Sequence, residues 1–243
     1  NGGRFDVAGY SDTVASVVLT NGSILGTTGV LTSAVDYDVR SGVISAILGG
    51  SVGLTKSTSG MVTLSGASTY TGPTTIAAGT IRTNVANAIS SSSPLTLGSA
   101  TTRGFLEIDD ALTISSLTFT GSGGDITDGS LGTATFSAAG SGTATITVSG
   151  GSNAFHADAT FSSPTLVNVA NGAFFSVHNN LFGTADFTKS GLGTLNITGD
   201  NDGYGGNFFI TGGLVNIGVG MNQIGTGTTT LSGGATIDLG GQA

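Results

Sequence analysis

The chain has 243 residues, of which 43 are glycine and only 8% are charged. Fourteen acids stand against six Lys and Arg, a net charge of −8, and Glu107 is the single glutamate. So few straight-chain helix formers exclude a helical bundle or a doubly wound α/β fold, and six scattered cations (Arg4, Arg40, Lys56, Arg82, Arg103, Lys189) make no stripe to neutralise phosphates, which excludes nucleic acid as a partner.

The same scatter gives no hold on an anionic membrane surface, and no apolar run reaches the ~18–20 residues that a membrane span needs. No cysteine is present, so disulfides, thiol nucleophiles and Cys-ligated metals are out. The chain opens on Asn1 without a secretory signal and ends at Gly240-Gly241-Gln242-Ala243, which reads as a window from a longer protein.

Short alternating apolar pairs run along the chain in order: Val62/Leu64, Leu95/Leu97, Leu106/Ile108, Leu117/Phe119, Ile146/Val148, Leu195/Ile197 and Ile237/Leu239. The i, i+2 spacing puts both members on one strand face. Gly, Ser, Asn and Asp between them make turns. Clusters recur roughly every 10–13 residues, the rhythm of an all-β fold. A sandwich, a barrel and a solenoid all fit this rhythm.

An internal repeat separates them. Gly53-Leu54-Thr55-Lys56-Ser57-Thr58-Ser59-Gly60-Met61-Val62-Thr63-Leu64 is echoed by Asp186-Phe187-Thr188-Lys189-Ser190-Gly191-Leu192-Gly193-Thr194-Leu195-Asn196-Ile197, at an offset of 133. Past one inserted residue, Tyr70, Gly72, Ile76 and Gly79 map to Tyr204, Gly206, Ile210 and Gly213, and Asn87-Ala88-Ile89 to Asn222-Gln223-Ile224. Weaker echoes join Val14–Thr20 to Ile114–Thr120, and Phe5–Gly9 to Ile237–Gly241. These echoes lay out one continuous solenoid. Unit one is 1–105 with its motif at 53–81, unit two is 106–236 with its motif at 187–215, and 237–243 starts a third. Unit two is longer, with extra strands expected between Gly121 and Leu181. If Lys56 and Lys189 share one position of the cross-section, six coils separate them, at roughly 20–22 residues each, a normal solenoid repeat.

The recurring positions are Lys56, Gly60, Val62, Leu64, Tyr70, Gly72, Ile76 and Gly79, then Lys189, Gly193, Leu195, Ile197, Tyr204, Gly206, Ile210 and Gly213. Together they resemble the passenger-associated transport repeat, also called the autotransporter-associated β-strand repeat. Its pattern is a Leu-Thr-Lys start, a Gly-Thr-Leu-x-Leu-x-Gly strand, a Tyr-x-Gly turn and an Ile/Val-x-x-Gly-x-Leu strand. The sequence departs from it at Thr69, at Pro73, in the longer Asp200-Asn201-Asp202-Gly203 turn and at Asn207-Phe208. The resemblance implies a right-handed parallel β-helix in a secreted bacterial surface protein, where the repeat assists transport or folding of the passenger.

Candidate chemistry is sparse. Glu107, Asp109 and Asp110 form the densest acid cluster. Glu107 and Asp109 share a strand face and could act together on a sugar, but Trp, the usual stacking platform, is absent, and solvated acids at a strand edge are the plainer reading. Asp125, Asp128, Asp200 and Asp202 could offer oxygens to calcium. The plainer reading there is that Asp and Asn bond their own backbone at a bend. The spacing of His156 and His178 equals one coil, so the two could stack; Asp158 and Asn179 are the only further ligands nearby in sequence, and two surface or loop histidines are the plainer reading. Thr ladders on a flat solenoid face can bind ice. Pairs such as Thr133/Thr135, Thr145/Thr147 and Thr228/Thr230 do not recur at one fixed coil position.

The reading is therefore a structural segment, a stalk or adhesin passenger at the bacterial cell surface, with no enzymatic activity, cofactor or metal. Its partners are a continuation of the same solenoid and an unidentified host or surface glycan or protein receptor. The alternatives are a fibre or sheath subunit stacking head to tail and a carbohydrate-active β-helix enzyme.

Overall fold

The computed structural model describes residues 2–130, 132–218 and 224–240. Asn222 and Gln223 of the repeat echo, and residues 241–243 of the third unit, lie outside them. Alternation becomes burial strand by strand. In Gly104–Ile108, Gly104, Leu106 and Ile108 are buried while Phe105 and Glu107 are half-exposed. Val62, Leu64, Leu195 and Ile197 point inward, with Thr63, Ser65, Asn196 and Thr198 outward.

No helix forms among the described residues; parallel strands stack into a β-solenoid of about 11 turns, with about 21 residues per coil. One side is a 12-stranded sheet, from Gly3–Asp6 to Thr236–Asp238. The second is an 11-stranded sheet, from Val18–Leu19 to Thr229–Leu231. The third side is interrupted. A three-stranded sheet ends at Ile47–Gly49, and a four-stranded one begins at Leu112–Ile114. Between them the side narrows to single backbone bonds, with Ser68 N donating to Asn87 O at 3.2 Å and Asn87 N to Ala111 O at 3.0 Å. The long sheet runs without a break through 105/106, inside strand Gly104–Ile108.

Coil length varies. The step between paired Gly3 and Gly22 is short, and the step between paired Asp125 and Ala154 is half as long again. The longest coil carries a full third strand, Thr133–Phe136, and the next coil carries another, Asp158–Phe161. Phenyl rings fill the wider interior there. Phe161 meets Phe136 at 5.4 Å, Phe187 at 5.2 Å and Tyr204 at 5.9 Å, centroid to centroid. Elsewhere Leu, Ile and Val predominate, with larger groups such as Tyr37 and Tyr70 among them.

Six coils separate the two motif copies, but the copies are not in register. Following the ladders from Leu54 through Thr74, Leu95, Leu117, Ile146 and Val167 leads to Lys189. In the other sheet Val62 leads through Ile81, Leu106, Ile126, Phe155 and Val177 to Ile197. Lys189 thus stacks in the column of Leu54, two residues before Lys56, and both sheets agree on that displacement. Two residues is the side-chain period of a strand, so inward residues stay inward.

Candidate functional site

Leu54 and Lys56 alternate with Thr55, so the lysine enters the interior on the face of the leucine. Lys56 and Lys189 are both 0% exposed. The apolar alternation alone would make a dry Val/Ile/Leu/Phe column, but two ammonium groups are part of it. Neither has a carboxylate partner among the described residues; each is held by carbonyls. Lys56 Nζ donates to Thr58 Oγ1 and Ala78 O, both at 3.2 Å, and to Thr58 O. Lys189 Nζ donates to Ser190 O at 2.8 Å, Gly191 O at 2.9 Å and Gly212 O at 3.1 Å. In both, the acceptors come from the turn after the lysine and from the corresponding turn of the next coil. The ammonium clamps two coils. Burial pushes Lys56 below the ordinary lysine range and Lys189 down to about 8.

The residue after the far acceptor is glycine in both copies, with φ of +71° at Gly79 and +70° at Gly213. A Cβ at Gly79 would run into Thr58 O and lie 2.7 Å from Lys56 Nζ, so the clamp closes only over a bare Cα. The motif tyrosines are buried too. Tyr70 Oη lies 2.6 Å from Thr74 Oγ1, itself 2.8 Å from Ser93 Oγ, and burial pushes the phenol up to about 12. Tyr204 Oη donates to Ala185 O at 2.8 Å and Asn207 O at 3.3 Å, and burial raises it as well. Ile76 and Ile210 complete the buried side of the motif, and Gly60, Gly72, Gly193 and Gly206 occupy close backbone approaches.

Sequence reasoning missed three inner groups. Tyr37 Oη donates to Leu31 O at 2.7 Å and Gly49 O at 2.8 Å. Asn153 Oδ1 accepts from Gly124 N at 3.0 Å, while its Nδ2 donates to Gly150 O and Phe174 O. Asn201, read as part of an acidic turn, is buried and accepts from Leu181 N at 2.6 Å. Alternation alone could have flagged Tyr37, which sits two residues before buried Val39.

The structure also places each surface candidate. Glu107 and Asp109 meet at Arg82, whose Nε lies 2.5 Å from Asp109 Oδ2 and 3.7 Å from Glu107 Oε1. Asp125 Oδ1 accepts from Arg103 Nη2 at 2.7 Å and from Ala154 N at 3.1 Å. Asp128 Oδ1 accepts from Gly132 N at 2.8 Å, and Asp110 Oδ1 from Ala111 N at 2.7 Å. Asp200 and Asp202 flank buried Asn201 at a corner. Among the described residues no three His, Asp or Glu side chains converge as a metal site would require. His156 and His178 do stack, at 4.4 Å and 4°.

The threonine expectation is corrected. Thr55, Thr75, Thr96, Thr118 and Thr147 occupy one column of the 11-stranded sheet. Thr113, Thr135 and Thr160 form another on the third side. Uneven coil lengths conceal both columns in the sequence.

No match was found among curated proteins or among solved structures. A family model for the passenger-associated-transport-repeat matches residues 54–82 and 187–217, the two stretches that hold the lysine clamps. The chain is a β-solenoid with two stretches that match this passenger repeat.

Proposed function

We propose that the chain is a rod segment of a secreted bacterial surface protein, a stalk or adhesin passenger that works by length and resistance rather than by catalysis. The observation that carries this reading is the placing of both passenger repeats, clamps closed, within one uninterrupted solenoid. At ~4.8 Å per coil, about 11 turns make a rod ~50 Å long. Carboxylates tied to Arg82 and Arg103, rather than facing a groove, support the absence of polysaccharide turnover. The test is to express the full reading frame in its host and label intact cells. Antibody against this segment should bind the cell surface, and deletion of 54–82 should lower display. Retention of the segment inside intact cells would overturn the reading.

A second reading has its own observation. Gly3–Asp6 and Thr236–Asp238 each pair on one side only, and Phe5, Leu231 and Leu239 are exposed near these edges. The partner is then a continuation of the same solenoid, in the parent chain or in another copy docked head to tail. Filaments with a ~50 Å axial repeat in negative stain would support a second copy; a monodisperse monomer at high concentration would reject it.

A further inference from the structure

Strands Ser152–His156 and Phe174–Val177 are neighbours in the long sheet. His156 ends the first, and His178 follows the second. Their rings lie parallel on the outer face, with centroids 4.4 Å apart. His178 N donates to Phe155 O at 3.0 Å, and His178 Nδ1 lies 3.1 Å from Thr198 Oγ1 of the following coil. Three consecutive coils are therefore joined at this point. It adjoins the longest coil, the one between paired Asp125 and Ala154.

Two imidazolium ions at that separation repel, and the carboxylates around them are engaged with other partners. On strand Gly124–Asp128, Asp125 is paired with Arg103, and Asp128 accepts from Gly132 N. One strand further, Glu107 is drawn to Arg82. Asp158, at the start of the next side, accepts from Asn180 N at 3.1 Å. On the other flank, strands Thr194–Ile197 and Leu214–Ile217 bring Asn196 and Asn216 but no charge, and Asp200 comes only at the corner beyond. Among the described residues no carboxylate bonds to either ring.

We propose that the His156–His178 stack is an acid-sensitive joint: proton uptake by both rings drives them apart and loosens the coils they connect. Burial, and then the charge of His156, hold His178 below the ordinary histidine range, with Asp125 opposing. A depressed pKa in the folded state means that this contribution is complete above ~6.5 and is lost as pH falls through the depressed value.

The experiment pairs an imidazole NMR titration of the full chain with amide exchange near neutrality and at about pH 5, where free histidine is charged. The His178 ring should titrate below the ordinary histidine range and respond to the state of its neighbour, the mark of coupled sites. Exchange across 152–178, corrected for intrinsic rates, should quicken about tenfold on acidification relative to 61–83, the factor that one pH unit of coupling supplies. His178→Gln should abolish the local acid response, read as the ratio of acid to neutral exchange within that variant; His156→Gln should move the His178 titration upward. Independent titration of both rings near ~6.5 would overturn the proposal. So would acid exchange that rises evenly along the rod, or a local response that survives in His178→Gln.

Discussion

Lys56 and Lys189 each bring an ammonium ion into a place lined by leucine and isoleucine, and each finds its acceptors in backbone turns. Carbonyls that would otherwise lack donors are satisfied, and so is the charge. Lys189→Met keeps the volume and strands three carbonyls, so it should cost about 1–3 kcal/mol in denaturant unfolding. Gly79 and Gly140 separate two effects. Both have positive φ, but a Cβ at Gly140 meets nothing within 4 Å, while one at Gly79 meets the clamp. Gly140→Ala should cost about 1–2 kcal/mol, the left-handed penalty alone, and Gly79→Ala clearly more. Equal midpoints for the two variants would show that the close approach relaxes freely. Alkaline behaviour follows from the same buried groups. Between about 8 and 10.5 the unfolded chain holds the Lys189 proton more tightly than the folded one, so stability should rise with pH. Above ~10 the sign reverses, because buried Tyr37, Tyr70 and Tyr204 keep phenolic protons that the unfolded chain releases. Urea midpoints across this range should show a maximum, and Lys189→Met should flatten its rising limb, leaving only the part due to Lys56. The position of Lys56 was legible, since it falls two residues after Leu54. What bonds to it was not, because Ala78 lies on another coil, far along the chain.

Strands were the most legible level. Alternation at Met61–Leu64 and Thr194–Ile197 fixes which residues are inside, and the structure agrees at each. Leu64→Asp should therefore cost several kcal/mol by burying an unpaired charge, while Thr63→Asp on the outer face should stay within about 0.5 kcal/mol. Similar melting of the two variants would mean an inverted strand. The columns that strands build were much less legible. From Thr55 through Thr75, Thr96 and Thr118 to Thr147, each step along the chain is longer than the one before, so no fixed period finds them. The largest jump, from Thr118 to Thr147, is the passage through strand Thr133–Phe136 of the third side and the turns that flank it. Contacts that depend on such lengths, including the union of Glu107 and Asp109 at Arg82, form only once each coil has closed.

Over the whole molecule the strand ladders join each coil only to its neighbours, with few longer reaches such as Arg103 Nη1 to Ser152 O, so stability is set largely locally and summed along the axis. Terminal strands lack one neighbour, and Gly3–Asp6 is exposed throughout. Amide exchange should therefore be fastest in the first and last coils and slowest around the phenyl-packed coils from Phe136 to Phe187 under neutral conditions. A flat profile along the rod would mean that it unfolds as one cooperative block. Far-ultraviolet dichroism should show essentially no helix, against the ~30–35% of an average domain.

The two-residue displacement between the motif copies bears on how such rods can be lengthened. Two residues amount to ~7 Å along a strand, accumulated over six coils that rise ~29 Å. The line joining the copies therefore leans from the stacking direction by roughly a quarter of its height. Suppose the stretch from Lys56 to Lys189 were cut out and inserted again in tandem. Its seam would slip two places along the ladder, yet every leucine would still face inward, because the slip equals the pleat. Growth by duplication is then forgiving of lateral error in steps of two and intolerant of steps of one. A gene that lengthens its product by recombining at these repeats would keep a sound interior while its edges gradually migrate around the shaft.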